Sequence, residues 1–104
     1  MDDPQFEAAA EEALERLERA LENLDLDFER REGGVLEIEL NDGAKMIVNR
    51  HSAARELWVA ARSGGFHFRW DGSAWRDTRS GEEFFAALSA LLTRELGRGV
   101  RLLG

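Results

Sequence analysis

Val35-Leu36-Glu37-Ile38-Glu39-Leu40-Asn41-Asp42-Gly43-Ala44-Lys45-Met46-Ile47-Val48-Asn49-Arg50 holds two alternating apolar–polar runs separated by a turn signal. Leu36, Ile38 and Leu40 share one face of the first run, with Glu37 and Glu39 on the other. Met46 and Val48 share one face of the second, opposite Lys45, Ile47 and Asn49. A period of two with one apolar face is the signature of a half-buried strand. Asn-Asp-Gly supplies residues that tolerate a positive φ, so Val35–Leu40 and Ala44–Arg50 read as an antiparallel hairpin.

The same period extends on both sides. Leu26 and Phe28 alternate with Asp25, Asp27 and Glu29, and Glu32-Gly33-Gly34 then turns the chain. Downstream, Glu56–Arg62 points Leu57, Val59 and Ala61 inward, with Glu56 and Trp58 outward. Ser63-Gly64-Gly65 reads as the next turn, and in Phe66–Trp70 the residues Phe66, Phe68 and Trp70 alternate with His67 and Arg69. Asp71-Gly72 precedes a short strand around Ala74–Arg76.

The period changes to that of a helix at both ends of the chain. Over 4–24, Phe6, Ala10, Ala13, Leu14, Leu17, Leu21 and Leu24 fall on one stripe at about 100° per residue. Pro4 suits the first turn, and Asp2 or Asp3 can cap it. From Ser80, a capping box with Glu83 is expected to open a second helix whose apolar stripe is Phe84, Phe85, Leu88, Leu91, Leu92 and Leu96. Gly97 ends it, and the apolar tail Val100–Leu103 is expected to pack back between the helices. This order predicts one domain, 1–104, of the α+β class. It is a two-layer α/β sandwich with the N- and C-terminal helices on one face of an antiparallel sheet of about six strands.

Charge is distributed unevenly. The first 29 residues hold eleven acids and two arginines; the other 75 hold ten acids and twelve bases, giving the net −7. Glu7, Glu11, Glu15, Glu18 and Glu22 form a second stripe on the first helix, which Asp25 extends. Arg16 and Arg19 lie to its other side, four residues after Glu12 and Glu15, so the stripe is expected to be unneutralised. Glutamates on an exposed helix are often no more than a solvated face. Here the acids continue through Asp25, Asp27 and Glu29, past a helix end where the macrodipole already disfavours anions. Carboxylates four residues apart on a helix can share a hard cation. With no cysteine and no histidine in the cluster, such a site is weak and open.

On the wet face of the sheet, Trp58 is either covered by Arg62, Arg69 or a loop, or it is a binding anchor. No serine–histidine–acid spacing or phosphate loop stands out, so an enzyme acting through the carboxylates is the weaker reading. The aromatic–arginine stretch 66–79 resembles a nucleic-acid stacking platform, but its rings are expected to point inward and the acidic helix repels phosphate. No stretch is apolar enough to cross a membrane and no secretory signal is visible. The absence of cysteine fits a reducing, cytoplasmic setting.

The runs Asn41–Arg50, Leu57-Trp58-Val59-Ala60-Ala61, Ser63-Gly64-Gly65-Phe66-His67-Phe68 and Ser80-Gly81-Glu82-Glu83-Phe84 together resemble the bacterial frataxins, the CyaY family. The resemblance spans the chain in order and implies the same helix–sheet–helix fold. It further implies a non-enzymatic, iron-binding regulator of iron–sulfur cluster assembly, or alternatively an iron donor with ferroxidase-like activity. By position, weak iron binding (Fe²⁺ or Fe³⁺) would fall to Glu11, Glu15, Glu18, Glu22, Asp25, Asp27 and Glu29. Asn49, Trp58 and His67 match outward sheet positions that meet partners, here the cysteine desulfurase and the scaffold protein. A monomer that can form iron-dependent oligomers is implied as well. The chain departs from the family pattern at Arg19 and Asn23, where relatives carry further acids.

Overall fold

The computed structural model describes residues 1–103. Helix α1 spans Asp3–Asn23, followed by β1 (Phe28–Arg31), β2 (Val35–Glu39), β3 (Lys45–His51), β4 (Glu56–Ala61), β5 (Gly64–Trp70), β6 (Trp75–Asp77) and helix α2 (Phe84–Leu96). The six strands form one antiparallel meander in chain order. Both helices bury their apolar stripes against its inner face, as the alternation and the helical spacing require.

The register confirms the phase read from the alternation. Val48 lies opposite both Leu36 and Val59, and Leu57 opposite Phe68. These residues, with Ile38 and Met46, are buried beneath Phe6, Leu14, Leu17 and Leu21 of α1 and Phe84, Leu88 and Leu92 of α2. Phe66 and Trp70 flank this core rather than fill it. On the opposite face, Asn49, Trp58 and His67 lie side by side across β3, β4 and β5.

The ends of α1 are specified locally. Asp2 Oδ1 accepts from the Gln5 N–H at 2.8 Å while Gln5 Oε1 accepts from the Asp2 N–H at 2.9 Å, a reciprocal capping box. At the other end the Leu26 N–H bonds to the Leu21 carbonyl and the Asp25 N–H to that of Glu22. This is a Schellman closure in which Asp25, at φ 55°, stands in the left-handed position usually given to glycine.

Helix α2 begins later than the Ser80–Glu83 pattern predicts. Glu83 is itself the cap, its carboxylate accepting from the Phe85 and Ala86 N–H groups. Ser80 cannot take that role because the segment before Glu83 is tied to β6. Glu82 O accepts from the Asp77 N–H, and Arg76 bridges to Glu83. The Ser63–Gly65 turn is also tighter than expected, since Gly64 and Gly65 already pair with Ala61 and Ala60 in the sheet. The tail packs inward through Val100 and Leu102, whereas Leu103, expected to join them, is exposed. Thr93 Oγ1 accepts from the Val100 N–H, and Ser89 Oγ from that of Leu102.

Candidate functional site

Two surfaces carry the candidate residues. The first is the edge where α1 overhangs β1. Helical geometry at about 100° per residue orders its acids outward from the apolar stripe as Glu7, Glu18, Glu11, Glu22 and Glu15. The inner three meet arginines rising from the helix-facing side of the sheet. Arg30 pairs opposite Leu36, so it shares the inward phase of Phe28. Its guanidinium reaches Glu11 Oε1 at 2.5 Å and Glu18 Oε1 at 2.9 Å. Burial works against the charge on Arg30. The hydrogen bonds and charges of the two glutamates outweigh it and raise its pKa. Arg50, likewise inward and opposite Leu57, lies 3.0 Å from Glu7 Oε2 through a buried Nε that is out of line for a hydrogen bond, so that contact is coulombic.

The stripe expected from sequence to be unneutralised is therefore split lengthwise. Glu11 and Glu18 share one arginine, and Glu29 lies 3.3 Å from Arg31. Among the described residues Glu15, Glu22, Asp25 and Asp27 have no salt-bridge partner, and all four are exposed. Glu22, Asp25 and Asp27 line an open depression with Leu26 and Phe28. Among the described residues no three histidine, aspartate or glutamate side chains converge as a group able to hold a metal ion. An ion on this edge would be met by one or two carboxylates and keep water in its remaining positions, which suits a hard divalent cation bound weakly.

The second surface is the open face of the sheet. Trp58 is half-buried, and two imidazoles cover it. The His51 ring stacks on one side at 3.7 Å between centroids and 12° between planes; His67 stacks on the other at 4.5 Å and 8°. The indole N–H is also engaged, donating to Glu56 Oε1 at 2.8 Å. The Glu56 side chain is only 7% exposed, and its second oxygen accepts from Arg69 Nη2 at 2.6 Å. Burial pushes its carboxyl upward, but the hydrogen bonds from Trp58 and Arg69 and the nearby charges prevail, leaving it below the ordinary value of 4.5. Asn49, beside Trp58 on β3, donates to the Arg50 carbonyl, and the His67 side chain remains 47% exposed.

Arg69 therefore binds Glu56 and Arg62 lies by Glu95, so neither arginine is what stacks on Trp58. The covering His51 escapes a reading that ends β3 at Arg50, although one more residue of alternation would have placed it beside Trp58. Elsewhere on this face Glu37 lies between Arg31 and Lys45, whose hydrogen bonds hold its carboxyl below the ordinary range.

Comparison with known proteins accords with this fold. The family model described as the frataxin-like domain matches residues 1–98. The chain is 58% identical over 104 residues to a protein named iron-sulfur cluster assembly protein CyaY from Dechloromonas aromatica (strain RCB), covering 98% of this chain and 99% of that one. It is 48% identical over 101 residues to a protein of the same name from Paraburkholderia xenovorans (strain LB400), covering 96% of each. A solved frataxin from Psychromonas ingrahamii, described as a model for stability modulation within the CyaY protein family, shares the fold at TM-score 0.89 and 28% identity over 100% of both chains. Since the matched residues run through both helices and all six strands, this chain belongs to the family of frataxin-like domains.

Proposed function

We propose that this chain acts, as one domain in the cytoplasm, in iron–sulfur cluster assembly. In this reading it is a non-catalytic adaptor that binds iron weakly and docks on the cysteine desulfurase and its scaffold protein. The observation that carries the reading is the exposed carboxylates without salt-bridge partners among the described residues, Glu22, Asp25 and Asp27 at the end of α1, with Glu15 further back along the helix. Its support from relatives is the name iron-sulfur cluster assembly protein carried by proteins 58% and 48% identical.

Each surface has its own task. Hard oxygen donors without histidine or cysteine favour transient iron contact over a permanent centre. The same negative edge would attract a basic groove on the desulfurase, which raises encounter rate more than final affinity. The sheet face would meet the scaffold through the His51–Trp58–His67 stack and Asn49. Its charges are largely matched, so shape and aromatic contact dominate there.

Binding of the desulfurase and the scaffold, each measured separately by calorimetry, tests this division. Glu22→Lys should weaken desulfurase binding and spare the scaffold, whereas Trp58→Ala should do the reverse. If both substitutions affect both partners equally, or neither affects either, the assignment of surfaces is wrong.

A further inference from the structure

An arginine at an inward position of an edge strand is an unusual neighbour for an acidic helix. Among the described residues β1 is an edge strand, so the Arg30 stem can lie along the margin of the core while its charged end emerges under α1. There it joins Glu11 and Glu18, two carboxylates seven residues apart, through separate nitrogens. Seven residues are two helical turns, about 10.5 Å of rise, so the guanidinium draws together acids that would otherwise project separately. A planar fork with several donors suits that task better than an ammonium.

We propose that Arg30 is a resident counter-ion that withholds Glu11 and Glu18 from added cations. It thereby confines cation contact to Glu22, Asp25 and Asp27, which line one depression beyond Glu15. This inference rests on the iron-binding reading for its functional meaning, although the electrostatic argument concerns any hard divalent ion. Each glutamate gives Arg30 one carboxylate oxygen, so the closure acts through charge, cutting the pair's formal −2 to −1. Because the guanidinium is tethered, its local concentration does not fall on dilution, and an incoming ion must always compete with it. Because arginine stays protonated, pH does not release it as it would an imidazole.

Manganese(II) is a suitable probe, being divalent, oxygen-seeking and paramagnetic. In the full chain, Mn²⁺ should broaden amide signals most strongly around 22–27. In Arg30→Gln the broadening should spread to 11–18, with affinity there increased roughly tenfold, the scale of two partly exposed ion pairs. Equal broadening of 11–18 and 22–27 in the unaltered chain would overturn the proposal, as would an unchanged map in Arg30→Gln.

Should Arg30→Gln fold poorly, the double substitution Glu22→Gln, Asp27→Asn provides an independent arm. With Arg30 in place, binding should be lost rather than transferred to Glu11 and Glu18; transfer would contradict the proposal. The iron reading fails separately. If Fe²⁺ and Mn²⁺ leave the unaltered chain untouched but Arg30→Gln gains a site at 11–18, the counter-ion role stands and the iron reading falls. If no variant binds either ion, both fall.

Discussion

The edge of α1 and the open face of the sheet sit on opposite layers of the same fold, and they hold their polar groups in opposite ways. On the sheet face the groups around Trp58 and Glu37 are fixed by neighbours. Trp58 lies between two imidazoles, its N–H is on Glu56, Glu56 is on Arg69, and Glu37 lies between Arg31 and Lys45. At the far end of α1, Glu22, Asp25 and Asp27 are free in solvent. The first arrangement is ordered before any partner arrives; the second keeps its charge available at the cost of local repulsion. An ordered aromatic patch and an exposed anionic edge would suit partners of different chemistry.

The largest expected effect from disturbing this contrast is on stability, at the buried carboxylate. Glu56→Ala leaves the Trp58 N–H and Arg69 without their acceptor and should cost about 2 kcal/mol. Glu56→Gln should cost less, because an amide oxygen can still accept from Trp58. Chemical denaturation, with the Trp58 indole N–H followed by NMR, measures both. An alanine variant as stable as the parent, with an unmoved indole signal, would show that the network does not order the face.

On the acidic edge the comparable experiment should leave stability alone and change association. Reversing Glu15 and Glu22 to lysine should slow desulfurase association at low salt by about tenfold, with the difference shrinking as salt is added. A salt-independent loss would assign those residues to direct contact instead of steering.

A smaller effect is expected at Asp25, where the two demands conflict. Its left-handed backbone and its place at the negative end of α1 both disfavour aspartate. Asp25→Gly should therefore raise stability by about 1 kcal/mol while weakening divalent-ion binding. A destabilised variant would mean that the Asp25 side chain contributes more to the turn than its geometry indicates.

The smallest effect is on acid sensitivity. The folded-state pKa of Glu56 lies below its ordinary value, so its stabilising contribution is complete above about 4.5 and is lost as pH falls through the folded value. Glu56→Gln should flatten that part of a stability–pH curve. An unchanged acid limb would place the titrating groups elsewhere.

Much of this was legible in the residues. The alternation placed Trp58, Asn49 and His67 on one face, because a period of two leaves no freedom in side. The same rule, applied to β1, puts Arg30 in phase with Phe28 and therefore beneath α1. The reading of the stripe as unneutralised missed that Arg30 and Arg50 pair with its inner glutamates. What alternation cannot supply is reach. Whether a long side chain at a sheet margin meets a helix above it depends on how the two layers cross. The buried state of Glu56 was hidden for a related reason, since the faces of an open sheet read as solvent until neighbouring rings and guanidinium groups close over them. The start of α2 was misplaced because Ser80–Glu82 satisfies β6 first, a competition between two local patterns that a capping motif does not reveal.

Anaerobic titration of the full chain with ferrous iron, followed by amide signals, tests the central claim most directly. Signals around Glu22, Asp25 and Asp27 should broaden first, with Asn49, Trp58 and His67 unaffected at the same iron level. Broadening centred on the sheet face, or none at millimolar iron, would contradict the assignment of iron to the end of α1.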